Sequence, residues 1–280
     1  MSRITGVLML TLIGVAIPAA TASAEPGDEV GFQSYMVPMD DGVLLETQVF
    51  TPSAPGKHPV ILCRTPYSVD RRSWLGEGLA SRGFAVVLQS VRGQGKSEGR
   101  FMPFVNEKAD GAATVEWIVA QPWCNGKIGL WGVSYHGYSA FELATTGHPA
   151  LGALFHISGW SDLSEFMAHG GAFQLQAHLY WYHAYASGQP TPPAEAWPQI
   201  FCTIPLGDFF KGAEPVWEHA AKPYDFNDIK VPVMHVTGWY DYIYPNVLQT
   251  WEAMQKTELA PEQRLIIGPW SHNGVLNSWT

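Results

Sequence analysis

The spacing of apolar residues changes character along the chain in an ordered way. Between residues 32 and 50, two strand-like segments flank Asp40-Asp41-Gly42, and Leu44, Glu46, Gln48 and Phe50 alternate with Leu45, Thr47 and Val49. A period of two on either side of an Asp-Gly turn predicts an antiparallel hairpin, placed here at a sheet edge. Beyond it the alternation gives way to short continuous apolar runs at 59–63, 84–88, 128–133, 151–157, 231–236 and 264–267. All six read as strands, and 59–63 and 84–88 as strands of the kind buried on both faces. Segments 74–81, 106–120, 139–146 and 244–255 have helical character; in 106–120, Ala109, Ala113, Val115, Trp117 and Ile118 gather on or near one face. Gly83 is placed to cap the first of them. Strand and helix thus alternate, which predicts an α/β fold with a mainly parallel, doubly wound sheet.

Residues 158–229 break this rhythm. They are crowded with aromatics, among them Trp160, Phe166, Phe173, Tyr180, Trp181 and Tyr185, and interrupted by Pro190, Pro192 and Pro193. The stretch reads as a helical cap inserted between two strands, dividing the core into 25–157 and 230–280. Most of these rings are expected to serve packing, with Trp160, Phe166 and Phe173 lining a substrate pocket above the sheet.

Composition narrows the possibilities. The chain has 280 residues, 46% hydrophobic and 15% charged, enough apolar material for a large core. A net charge of -9 with 16 Lys plus Arg, and no basic run, argues against nucleic acid and anionic membrane surfaces as partners. At the N-terminus Arg3 precedes an apolar run at 7–17, then Pro18 and small residues ending Ala22-Ser23-Ala24. This is the form of an export signal cut after Ala24, and the run is too short to span a bilayer comfortably. The expected mature protein is secreted or periplasmic, with no membrane attachment. Three cysteines, Cys63, Cys124 and Cys202, are too few for a disulfide scaffold or a zinc site; one bridge is allowed, with Cys124–Cys202 the expected pair.

The candidate chemistry starts at Lys127-Ile-Gly-Leu-Trp-Gly-Val-Ser134-Tyr-His-Gly-Tyr-Ser139. It reads as strand, sharp turn and helix, with Ser134 bracketed by Gly132 and Gly137. Such a turn lifts a serine hydroxyl above the end of a sheet. Taken alone it equally describes a serine that caps the following helix. A neutral serine needs a base to become a nucleophile, and the base needs a carboxylate to fix its tautomer. Asp241 and His272 each follow a later strand, in the order Ser, Asp, His used by doubly wound hydrolases. Singly, Asp241 fits a turn aspartate and His272 a surface histidine. Jointly, the three fall at the carboxyl ends of strands, where open parallel sheets bind ligands. No histidines form a metal-binding pair at helical spacing, and no metal or cofactor is expected. The glycine-rich loop 90–99 lacks the spacing and the following helix of a phosphate cradle.

Arg64-Thr-Pro-Tyr67, Val91-Arg-Gly-Gln-Gly-Lys-Ser-Glu-Gly99, Gly132-Val-Ser-Tyr-His-Gly137, Gly238-Trp-Tyr-Asp241 and Gly268-Pro-Trp-Ser-His272 occur here in one order. From about residue 32 to 273 the chain resembles the cocaine-esterase-like and X-Pro dipeptidyl-peptidase-like hydrolases. The resemblance implies an α/β-hydrolase fold with a helical cap and a triad of Ser134, Asp241 and His272. It also implies an oxyanion hole made by the Tyr67 phenol and the Tyr135 backbone amide. His136 departs from the common hydrolase elbow, which keeps glycine two residues after the serine. Members of this group continue past the histidine into a β-sandwich, so the sequence is expected to be a fragment or to have its open edge covered otherwise; the helix that ordinarily follows the histidine is also expected to be missing.

The resulting expectation is a secreted serine hydrolase acting on small-molecule esters or amides through an acyl-enzyme. Acyl transfer, or X-Pro or aminoacyl peptidase action, would use the same triad, and a non-catalytic binding protein would keep only the fold. Peptidase action would call for a carboxylate such as Asp162, Glu165 or Asp208 to hold a free amino terminus.

Overall fold

The structure, a computed structural model, describes residues 30–171, 174, 178, 181–182, 184–185, 214–220, 222 and 224–277. The proposed export signal, Phe173, Cys202, Asp208 and much of the cap region lie outside the described residues.

Eight strands form one sheet among these residues, in the order β1-β2-β4-β3-β5-β6-β7-β8. They are β1 (Gly31–Pro38), β2 (Leu44–Thr51), β3 (His58–Thr65), β4 (Ala85–Ser90), β5 (Cys124–Val133), β6 (Leu151–Ile157), β7 (Val233–Tyr240) and β8 (Arg264–Ser271). The first two are the expected hairpin, turning at Gly42 with φ 83°, a conformation glycine adopts without steric cost. β2 meets β4 antiparallel, and every later pairing is parallel. The helices between them are α1 (Ser73–Ala80), α2 (Glu107–Val119), α3 (Tyr135–Ala144), α4 (Leu163–Met167), α5 (Glu214–Ala220), α6 (Tyr244–Met254) and α7 (His272–Asn277). Among the described residues, no helix is long and apolar enough to cross a membrane.

Every residue of β4 is buried, as its unbroken apolar run predicts. Val86 and Leu88 pack toward α1 with Phe50, Cys63 and Leu75. Ala85 and Val87 point the other way, into a core shared with Val115, Ile118, Phe141 and Leu143 of α2 and α3. Fully burying one such side chain is worth about 1.5–3 kcal/mol, so the two covered faces hold the sheet as a rigid platform. Between β6 and β7, α4 and α5 add Phe166, Val216 and Ala220 to an aromatic cluster containing Phe104, Tyr135, Tyr138 and Trp160.

The loop 90–99 is filled from within. Glu46 of β2 accepts hydrogen bonds from the Ser90 hydroxyl at 3.1 Å and the Lys96 backbone N–H at 2.9 Å. A carboxylate of the chain itself therefore occupies the loop.

Three expectations are corrected. The helix after Ser134 begins at Tyr135 rather than at residue 139, because the turn is tighter than its glycines suggest. A short helix, α7, does follow His272 and buries Val275 against Val133, Ile157 and Val236. Cys124 is buried and free, as is Cys63, so the Cys124–Cys202 bridge is not formed. The Cys124 side chain is turned into the core and accepts from the Gly126 N–H at 3.3 Å.

Candidate active site

Ser134 sits in the one-residue gap between β5 and α3 with φ 57° and ψ -126°. A non-glycine residue in such a conformation costs on the order of 1–3 kcal/mol and persists only where its surroundings dictate it. Two backbone bonds hold it: the Ser134 N–H donates to Ile157 O at 2.9 Å, and Ser134 O accepts from the Tyr138 N–H at 3.1 Å. The turn closes because Gly132 has no side chain; a Cβ there would lie 2.1 Å from the His136 carbonyl oxygen.

Asp241 and His272 arrive from neighbouring strands. Tyr240 of β7 is in register with Ser271 of β8, so the residue after each strand stands beside the other. His272 Nδ1 lies 3.0 Å from both carboxylate oxygens of Asp241. The carboxylate can only accept, so Nδ1 carries the hydrogen and Nε2 is left as the acceptor. Nε2 faces Ser134 Oγ at 3.1 Å. Asp241 Oδ1 also accepts from the Ile243 N–H at 2.9 Å, which pins the carboxylate. The Asp241 side chain is fully buried while that of His272 is 17% exposed, so the base reaches the solvent side and its orienting group does not. The arrangement is suited to removing a proton from the serine hydroxyl and returning it to a leaving group.

Tyr67 follows β3 and stands over the same turn, its ring 5.2 Å from that of His136. Burial pushes the phenol up to about 12, against the pull of a hydrogen bond from Trp181. It therefore stays protonated and able to donate throughout the ordinary pH range. Trp181 Nε1–H donates to the Tyr67 hydroxyl at 3.0 Å, which leaves the phenol's own hydrogen free to point elsewhere. Tyr135 is the first residue of α3, so its N–H has no carbonyl one helical turn back to bond. Its side chain is engaged away from the turn: the phenol donates to Glu107 Oε1 at 3.0 Å and accepts from the Phe104 N–H at 2.8 Å. Glu107 is in turn paired with Arg64 at 3.0 Å, both buried.

Trp160 and Phe166 stack on each other with ring centroids 3.6 Å apart, and both are buried among other rings. Asp162 is occupied as the cap of α4, accepting from the Glu165 N–H at 3.0 Å and the Ser164 hydroxyl at 2.6 Å. Glu165 pairs with His169 at 3.2 Å. Among the described residues, no group of three or more His, Cys, Asp and Glu side chains is placed to hold a metal ion. Residues the sequence reading did not single out as part of the site also surround it. They include Trp181, the half-exposed Tyr242 with its ring 4.9 Å from that of His272, and Thr65 beneath Tyr67. The aromatic bias of residues 158–229 hinted at the first, and Thr65 lies within the Arg64-Thr-Pro-Tyr67 motif, where the sequence assigns it no role.

Comparison with known proteins addresses the family and the fold. The chain is 31% identical to cocaine esterase of Rhodococcus sp. (strain MB1 Bresler) over 286 aligned positions, covering 86% of this chain and 49% of that protein. It thus spans about half the length of that relative. A shorter match, 32% over 118 positions, links it to the Xaa-Pro dipeptidyl-peptidase of Lactobacillus helveticus (strain DPC 4571), covering 35% of this chain and 15% of that protein. Among solved structures, an α-amino acid ester hydrolase superposes with TM-score 0.70 at 24% identity over 94% of this chain and 52% of that one. A CocE/NonD family hydrolase of Staphylococcus aureus gives TM-score 0.68 at 23% identity over 90% of this chain and 48% of that one, so the sheet and helices are those of an α/β-hydrolase. Residues 41–203 and 209–274 match the X-Pro dipeptidyl-peptidase (S15 family), and the chain belongs to that family.

Proposed function

We propose that the protein is a serine hydrolase that cleaves small-molecule esters or amides through an acyl-enzyme on Ser134. The observation that carries this reading is the continuous hydrogen-bonded line from Asp241 through His272 Nδ1 and Nε2 to Ser134 Oγ. Ser134 Oγ attacks the acyl carbon as its proton passes to His272 Nε2. The carbonyl oxygen becomes an oxyanion facing the Tyr67 hydroxyl and the Tyr135 N–H. Collapse of the tetrahedral species breaks the bond to the leaving group, which departs as alcohol or amine with the proton from His272. Water, deprotonated by His272, then attacks the acyl carbon, and collapse releases the acid and restores the serine. Asp241 keeps the imidazole in the required tautomer and offsets the charge of the imidazolium.

The substrate we favour lacks a free amino terminus near the acyl carbon. Of the three carboxylates that could hold such a terminus, Asp162 is spent as a helix cap and Glu165 on His169, while Asp208 lies outside the described residues; the first two favour an ester or simple amide over an aminoacyl peptide. We further propose that the enzyme acts after export, with residues 1–24 removed; N-terminal sequencing of the mature protein should begin at Glu25.

Fluorophosphonate labelling and turnover test the central reading together. The intact protein should take up one label at Ser134, and Ser134→Ala should lower kcat on p-nitrophenyl esters by a factor on the order of a million. Activity of the alanine variant within about tenfold of the parent would end the assignment.

A further inference from the structure

His136, the residue that departs from the common elbow, is bonded at both ring nitrogens. Nδ1 lies 2.7 Å from the carbonyl of Val133, the residue just before the nucleophile, and Nε2 lies 2.7 Å from Thr65 Oγ1. Thr65 Oγ1 is also the acceptor, at 3.0 Å, for the backbone N–H of Tyr67. His136 and Thr65 are both essentially inaccessible to solvent.

The direction of each bond follows from valence. A carbonyl oxygen only accepts, so His136 Nδ1 carries the hydrogen and Nε2 offers a lone pair. The Thr65 hydroxyl must therefore donate to Nε2, and its own lone pair receives the Tyr67 N–H. One hydrogen-bonded chain thus runs from the loop that carries the phenol, through Thr65 and His136, to the strand end that carries the serine. Burial holds the imidazole down to about 3, so its neutral form and these directions persist at ordinary pH.

We propose that the Thr65–His136 pair is a positioning tether that fixes the Tyr67 phenol relative to Ser134 and thereby sets the oxyanion geometry. The proposal rests on the serine-hydrolase reading for its effect on rate, but not for its effect on the Tyr67 loop. A tether of this kind changes transition-state stabilisation and leaves ground-state binding nearly untouched, because the oxyanion forms only during the reaction. Small displacements of a preorganised donor are costly; a misplacement of about 1 Å can cost on the order of a hundredfold.

The test uses Thr65→Val, which keeps the shape and deletes the hydroxyl, together with His136→Leu, Thr65→Ser and Tyr67→Phe. Turnover is expressed per fluorophosphonate-titrated Ser134, so that misfolded protein does not count. Thr65→Val and His136→Leu should each lower kcat about tenfold with KM within about twofold. The double variant should be no worse than either alone, and Thr65→Ser should restore the parent rate. In the Tyr67→Phe background neither substitution should lower kcat further, since the donor being positioned is gone. A merely structural role would instead multiply with Tyr67→Phe. The tether is overturned if Thr65→Val turns over within about twofold of the parent, or if its full loss persists without the Tyr67 hydroxyl. A parent protein that takes up no label sinks the hydrolase reading alone. The tether is then judged by hydrogen exchange of the Tyr67 amide, which should quicken at least tenfold in Thr65→Val and in His136→Leu. Unchanged protection in either would refute it.

Discussion

The two halves of the candidate site are held by different kinds of constraint. Ser134 stands in the middle of the sheet, where its positive φ is imposed by main-chain bonds to Ile157 and Tyr138 and by the close approach at Gly132. His272 stands past β8, the last strand, whose residues are mostly part-exposed or exposed, and its imidazole is aimed by one carboxylate. The first half is built by sterics and belongs to folding. The second is built by electrostatics and belongs to chemistry. Damage to each should therefore show in different measurements.

Asp241→Asn is the sharpest way to separate them. The amide fills the same space but no longer demands a hydrogen on Nδ1, so kcat should fall about ten-thousandfold while the melting temperature hardly moves. Gly132→Ala should do the reverse. A methyl group 2.1 Å from a backbone oxygen cannot be relieved by a rotamer change, and urea unfolding should show a loss of about 3 kcal/mol. Tyr67→Phe should lower kcat about a hundredfold with little effect on stability, since it removes one oxyanion donor.

The smallest effect concerns acid. His235 is buried in β7 beside His156 of β6, and burial lowers it to about 4. Between about pH 6.5 and 4 the unfolded chain binds a proton that the folded chain refuses. Stability should therefore fall as pH falls through that window, with His235 contributing on the order of 1 kcal/mol per unit and the buried His136 and His156, also lowered by burial, adding to the loss. His235→Gln should make the dependence of the urea midpoint on pH shallower in that range, without abolishing it; an unchanged slope would refute the assignment.

Much of the platform was legible in the pattern of residues. Continuous apolar runs located the later strands, of which β4 is buried throughout while β8 is mostly part-exposed or exposed, and the Asp-Gly turn located the hairpin. Boundaries slipped where tertiary contact overrode local preference. Tyr135-His136-Gly137-Tyr138 has no strong helical bias, yet it forms the first turn of α3 because the elbow leaves the chain no other course. Ser134, Asp241 and His272 stood out because each follows a recognisable strand. Trp181 did not stand out as a partner of Tyr67, which is 114 positions away and meets it only in the folded chain. Thr65 and His136, 71 positions apart, escaped for the same reason, and His136 registered only as a deviation from a pattern.

The separations along the chain also order events in time. Asp241 and His272 are 31 positions apart, and Ser134 and His272 are 138. Bringing the distant pair together costs about 1.3 kcal/mol more in loop-closure entropy, which predicts that the acid and base meet within the β7–α6–β8 unit before that unit meets the serine. In a refolding experiment, reactivity of Ser134 toward a fluorophosphonate should then appear with the closure of β7 onto β6 and after protection of the Ser134 and Tyr138 amides in hydrogen exchange; simultaneous appearance would refute this order.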